Sequence, residues 1–336
     1  MNADYRGAVR NGAMAAERLH RQIGSRQRIE RDGGNVDVFG AIVHLGVPLV
    51  LRPLKGLLGA YLREPTSGVL VTTQRPLSIQ RYTAAHELGH FRLNHEPSLD
   101  DEGILRRSPF AANPGYNLQE VEADAFAMGF LMPRWLISWH AKRQGWQLDH
   151  FSKPQIVYQL SLRLGASFEA TWRTLQSYRL IKSATAAKFV KVKVRKLKEA
   201  LLEDYQPSDY RRDVWLITEC DADTSINGSQ HDLFVIRLEE RSGGGYLWDA
   251  EELVRSGFSL VRDVHEAIDQ VGIGNSTFRR LTMFLQEPKR GRISFGERRP
   301  WHPDQTLNRF ELAYDLTGPE DEGYSRVERR RILEAS

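Results

Sequence analysis

Residues 81–95, RYTAAHELGHFRLNH, place His86 and His90 four positions apart with Glu87 directly after the first. On a helix that spacing returns to the same face. Both imidazoles can then reach one metal ion, and the acid between them can act as base toward a water that the ion activates. Ala84, Ala85, Leu88 and Gly89 are small or apolar, so the helix expected over Ser78–His95 is buried rather than solvated. His95 lies about 140° round the helix from His90 and reads as a packing or capping residue. The extended HExxHxxGxxH pattern is absent, since Leu93 and Glu96 stand where its glycine and last histidine would be.

A catalytic ion of this kind needs a third protein ligand and an open position. The segment Glu120-Val121-Glu122-Ala123-Asp124 supplies candidates on a second helix, Leu118–Met132, stopped by Pro133. Glu120 and Asp124 are i,i+4 and share a face, whereas Glu122 points nearly the opposite way. The assignment is therefore His86, His90 and Glu120 as ligands of Zn2+, Glu87 as base, and Asp124 as acceptor for a ligand histidine's other N–H. Glu122 is the alternative third ligand if the register turns.

The chain has 336 residues, 41% hydrophobic and 27% charged, which suits two soluble domains and excludes a disordered polymer. The most apolar stretch, 41–54, is broken by His44, Pro48, Arg52 and Pro53, so no membrane span is expected. The first residues are charged where an export signal needs an apolar run. Cys220 is the single cysteine, which excludes an internal disulfide and reads as an inert buried thiol in a cytoplasmic protein. Charge is divided. Residues 1–183 hold 23 Lys/Arg against 16 Asp/Glu, and 214–336 hold 16 against 22. The two parts can therefore attract one another or oppositely charged partners.

Together, RYTAAHELGHFRLNH and EVEADAFAMGFLMP (120–133) resemble the ImmA/IrrE metallopeptidases, in order from the N-terminal helix to about Ile181. The resemblance implies an α+β zincin-like fold of gluzincin type, a zinc endopeptidase activity, and a helix-turn-helix repressor as substrate in a stress, phage or mobile-element response. It also implies that the two histidines and the first glutamate of the second motif are the ligands, as the spacing suggests. The stretch QLSLRLGASFEATWRTLQSYRLI (159–181) has a small-residue turn between two helices, and Arg163, Arg173 and Arg179 are candidates for phosphate contact. Its leucines and Trp172 favour a core role, so direct DNA binding is not expected.

Beyond a basic and polar connector at 184–213, short apolar or alternating runs separated by Gly-rich turns predict an antiparallel sandwich. Residues 214–317 resemble the chagasin-like inhibitors of papain-type cysteine peptidases, an all-β immunoglobulin-like fold. The matching landmarks are SGGGYLW (242–248), VGIGNSTFRRLTMFL (271–285) and Arg299-Pro300-Trp301. The resemblance makes three loops candidates for interaction: Gly243, Gly244, Gly245 and Tyr246; Gly272 and Gly274; and Arg299, Pro300 and Trp301. Trp248 and Trp301 read as packed against the sandwich. The expected domains are 1–183, the connector, 214–317, and a loose charged tail at 318–336. Recruiting substrate or regulating the cleft is the expected role of the sandwich, including docking within the chain. The alternatives are a non-hydrolytic zinc-containing regulatory or toxin–antitoxin-type protein, and a working cysteine-peptidase inhibitor.

Overall fold

A computed structural model describes residues 3–64, 66–100, 117–267 and 276–335, with the backbone alone at 98–100 and 335. Helix α1 (Ala3–Gln22) buries Tyr5, Ala8, Gly12, Ala15, Ala16 and Leu19, a three-to-four spacing that gives it one apolar face. After α2 (Ser25–Asp32) and α3 (Val38–His44) come strands β1 (Leu49–Arg52), β2 (Gly59–Leu62) and β3 (Gly68–Thr72). Helix α4 (Leu77–Leu93) starts after Pro76 and ends where Asn94 adopts a left-handed conformation, φ 55°. Strand β4 (Ser98–Asp100) follows, then α5 (Leu118–Leu131). The Asn117 side chain caps α5 by accepting from Gln119 N, and Pro133 follows its end. Helix α4 lies across β2 and β3, while α5 packs between α1 and α4.

Helices α6 (Arg134–Arg143), α7 (Pro154–Leu164) and α8 (Phe168–Ser177) complete the first half. Pro154 opens α7 and Gly165 closes it, and the Ser167 side chain caps α8. The stretch expected to be a connector folds as α9 (Ser183–Phe189) and α10 (Val194–Leu202). Leu197 and Leu202 give α10 a buried face, and buried Lys198 pairs with Asp213 at 3.1 Å.

The second half contains β5 (Val214–Ile217), β6 (Ser225–Asn227), β7 (Leu233–Glu240), β8 (Leu247–Trp248), α11 (Ala250–Arg255), β9 (Phe258–Ala267), β10 (Thr277–Leu285), β11 (Arg290–Arg299) and β12 (His302–Asp315). They form two four-stranded sheets, ordered β5-β7-β10-β9 and β6-β12-β11-β8. Trp215, Phe234, Ile236, Leu281, Met283, Ile293, Phe295, Phe310 and Leu312 fill the core. Pairing is not antiparallel throughout: β5 runs parallel to β7, and β6 parallel to β12. After β5 the chain crosses to the other sheet as β6 before returning as β7, so it re-enters in its original direction.

Both halves share one hydrophobic cluster and are joined by polar contacts at two sheet edges. Strand β5 is an edge, and α7 covers it. Gln159 donates to Val214 O at 2.9 Å and accepts from Leu216 N at 2.8 Å, its amide standing in for a neighbouring strand. Arg163 donates to Leu216 O and forms a buried pair with Asp221 at 2.8 Å. At the other edge, β13 (Gly323–Tyr324) pairs antiparallel with β1. This extends the first sheet to the order β13-β1-β3-β2-β4.

The tail expected to be loose is therefore docked. Buried Gln80 of α4 accepts from Glu320 N at 2.7 Å and donates to Glu320 O at 3.2 Å. Arg331 of α12 (Arg326–Ala335) donates to Val43 O at 3.2 Å. Backbone hydrogen bonding, invisible to composition, holds this polar segment. Two further expectations fail. Cys220 is exposed, because it sits in a short turn after β5. Trp301 is 63% exposed at the tip of the β11–β12 hairpin, whereas Trp248 is buried against Phe295. No described helix is long and apolar enough to cross a membrane.

Arg163→Met leaves Asp221 buried without its countercharge, so unfolding in urea should lose about 3–5 kcal/mol, with much of it recovered in Arg163→Met/Asp221→Leu. Burial is also the main cause lowering the pKa of His20 to about 4 and of His140 to about 3. Both folded values lie below the ordinary 6.5. Their contribution is therefore fully present above that pH and is lost on acidification, by about 1.4 kcal/mol per pH unit per ring. His20 stacks on Phe130 with centroids 4.7 Å apart. His20→Phe should accordingly flatten the fall in melting temperature between pH 6.5 and pH 4.

Candidate metal centre

Two helices build the site. His86 and His90 project from α4, and Glu120 projects from the first turn of α5. The two Nε2 atoms are 3.0 Å apart. Glu120 Oε2 lies 3.3 Å from His86 Nε2, and Oε1 lies 3.6 Å from His90 Nε2. One donor atom from each of these three side chains lies within 4.8 Å of the others, an arrangement that could hold a metal ion. The helix crossing makes this possible. A Cβ on Gly89 would stand 3.1 Å from Ala123 Cα and 3.2 Å from Phe126, so only glycine lets α5 come this close.

The surroundings fix the protons. His86 Nδ1 is 3.0 Å from Asp124 Oδ1, which also accepts from Tyr82 Oη at 3.1 Å. The proton of His86 belongs on Nδ1, facing the carboxylate. On the other side, His95 Nδ1 is 3.0 Å from His90 Nδ1, and His95 Nε2 is 2.8 Å from Glu122 Oε2. Glu122 Oε1 accepts from Asn11 Nδ2 at 3.0 Å. The carboxylate claims the His95 Nε2 proton, so His95 Nδ1 is an acceptor and His90 carries its proton on Nδ1. Both Nε2 lone pairs then face each other beside a carboxylate, with both rings fully buried. Three electron-rich atoms at such distances repel unless a cation lies among them, and a nitrogen, nitrogen, oxygen donor set suits a divalent ion.

Glu87 is fully buried on α4 beneath β2. A Cβ on Gly59 would stand 2.7 Å from Glu87 Oε1 and 2.4 Å from Thr83 Cγ2, so the strand passes directly over this carboxylate. Tyr61 of β2 stacks over His90 with centroids 6.4 Å apart. His86, His90, Glu120 and Asp124 thus come together, while Glu122 faces His95 instead of the cluster.

His95 is the residue that helical geometry misplaced. The helix ends at Leu93, Asn94 turns the chain, and His95 N bonds to His90 O at 3.0 Å, which swings the ring back against His90. An asparagine at the close of a helical pattern was the available signal.

The candidate interaction loops are partly assembled. Arg299 donates from Nε to Gly244 O at 3.0 Å and lies 4.5 Å over the Tyr246 ring. A Cβ on Gly245 would meet the Trp301 ring at 2.5 Å. Gly243 lies in the short turn at 242–244, and Pro300 lies between β11 and β12. Gly272 and Gly274 lie outside the described residues. In the helix pair at 154–177, Arg163 is buried against Asp221, while Arg173 makes an exposed i,i+4 pair with Glu169.

Over its C-terminal part the chain is similar to three solved structures. The cysteine protease inhibitor EhICP2 of Entamoeba histolytica is 20% identical, with a TM-score of 0.28, over 32% of this chain and 99% of that one. Amebosin is 21% identical, with a TM-score of 0.25, over 31% and 96%. PbICP-C, solved in complex with falcipain-2, is 15% identical, with a TM-score of 0.18, over 33% and 95%. No curated protein matches the chain. Residues 44–176, which contain both site helices, match the family model of the IrrE N-terminal-like domain, Peptidase_M78.

Proposed function

We propose that the chain is a cytoplasmic zinc-dependent endopeptidase of gluzincin type that cleaves a regulatory protein, a helix-turn-helix repressor being the expected substrate. The observation that carries this reading is the buried convergence of His86 Nε2, His90 Nε2 and the Glu120 carboxylate, with a buried acid adjacent to His86 in sequence. Two imidazoles and one carboxylate leave room for a fourth position, the donor set typical of a hydrolytic zinc site. The substrate class rests on the resemblance of the two motifs to the ImmA/IrrE peptidases.

When bound, the ion supplies Lewis-acid polarisation of the scissile carbonyl and lowers the pKa of a water toward neutrality. Glu87, buried next to His86 in sequence, would serve as the base that takes up a proton at its carboxylate and returns it to the leaving amine. Asp124 and His95 hold the two ligand rings with Nδ1 protonated, which keeps both Nε2 lone pairs directed inward. Burial beneath β2 keeps bulk water from Glu87, which strengthens its electrostatic interactions. The C-terminal sheets are proposed to form an immunoglobulin-like, chagasin-type module. Its paired loops at 242–246 and 299–301 recruit substrate or regulate the cleft.

His86→Ala and Glu120→Ala should each abolish stoichiometric zinc binding in dialysed protein measured by elemental analysis. Zinc retained in Glu120→Ala would shift the third ligand to Glu122. Glu87→Gln should keep zinc and lose peptide-bond cleavage of a helix-turn-helix repressor; undiminished cleavage would refute the hydrolytic mechanism. His95→Ala, which frees the His90 ring, should weaken zinc affinity by about 10–100-fold in competition with a chelator.

A further inference from the structure

Five residues before His86 on α4, Arg81 faces a cavity of about 240 Å³. The cavity lies where the loop after α2, strand β6, the end of β12 and the segment 317–330 meet. Acceptors and donors on its wall are not balanced. The carboxylates are already engaged: Asp32 accepts from Arg31 Nε at 2.7 Å, Asp37 from Gly40 N at 2.9 Å, Asp315 from Arg290 Nε at 2.5 Å, and Glu320 from Arg326 N at 2.8 Å.

Arg290 and Arg326 are engaged with these groups and their neighbours, but other donors on the wall are left over. Arg81 is only 9% exposed and makes no hydrogen bond or ion pair with any described residue. Arg28 Nη2, on the same wall, is buried and also finds no acceptor among them. Asn35 adds a third donor close to the first. A Cβ on Gly165 would stand 2.3 Å from Arg81 Nη1 and 2.7 Å from Asn35 Nδ2. For Arg28 Nη2, which is shut off from solvent, the missing acceptor is costly, while Arg81 turns its unpaired guanidinium into the cavity. Burial lowers the pKa of Arg81 to about 10, opposed by the charges of Asp37, Asp315 and Glu320 on the same wall, so it remains a cation at neutral pH.

We propose that this cavity binds a small tetrahedral oxyanion, a phosphate group, held by Arg81, Arg28 and Asn35. Two guanidinium groups and an amide need acceptors on more than one edge. Phosphate offers them, whereas a carboxylate offers a single edge. Bound there, the anion ties the helix that carries His86 and His90 to the wall formed by β12 and the docked C-terminal segment. The site shares no residue with the metal cluster, so it stands or falls separately from the peptidase reading.

The test is calorimetric titration of inorganic phosphate, and separately of glycerol 1-phosphate, into the metal-free 336-residue chain at constant ionic strength in chloride. Saturable one-to-one binding is expected, unchanged in His86→Ala and weakened roughly tenfold or more in Arg81→Met. If Arg81→Met does not fold, Arg28→Gln and Asn35→Ala carry the same expectation. Tighter binding of the ester would identify the ligand as the phosphoryl group of a small molecule, and equal or weaker binding would identify the free ion. Absence of saturation with both probes, as for a cavity that holds only water, would overturn the proposal. So would wild-type affinity in every folded variant among Arg81→Met, Arg28→Gln and Asn35→Ala.

Discussion

Two buried imidazole lone pairs and a partly exposed carboxylate forced together set the terms for the first half of this protein. Left alone, such a group would drive its members apart, and the fold is arranged to prevent that. Gly89 lets α5 settle onto α4 closely enough for Glu120 to reach both histidines. Asp124 with Tyr82 holds one ring, and His95 with Glu122 and Asn11 holds the other. The outer residues come from α1, α4, α5 and the turn after α4, so much of the packing around α4 converges on the orientation of two rings. A site preorganised in this way loses little entropy on taking up an ion.

The two halves of the chain depend on each other through their sheet edges. An unpaired edge is a template for unwanted association, and here each of two edges is covered by a part of the chain distant in sequence. Helix α7 covers β5 with side-chain groups, Gln159 and Arg163 acting in place of a strand. Strand β13 covers β1 with backbone. The buried Arg163–Asp221 pair is a poor source of stability compared with apolar packing, but it penalises any arrangement that separates its partners.

Much of the site was legible because its chemistry coincides with helical periodicity. His86 and His90, and then Glu120 and Asp124, are each i,i+4 pairs, and one turn of helix is the only geometry needed to group them. What was not legible depends on where helices stop and on what distant segments do. His95 was misplaced because a single left-handed residue, Asn94, ends the periodicity that placed it. Short or exposed strands such as β6, β8 and β9 carry too little apolar alternation to register, and β13 is only two residues long. The docking of 318–335 rests on Gln80 and on main-chain groups, so a charged composition suggested solvent where the structure has contacts. Arg81 looked like one more basic residue beside a motif, and only its burial sets it apart.

The pairing of Val50 with Tyr324 has a temporal consequence. During synthesis β1 emerges well before β13, and its outer edge lacks that neighbour until the polypeptide between them has left the ribosome. In that interval the nascent sheet is open to foreign strands, and pairing across such a sequence separation makes the closing step entropically slow. Seating of β13 therefore closes the first sheet late, and only a chain that has folded across this separation encloses Gln80 of α4 with Glu320.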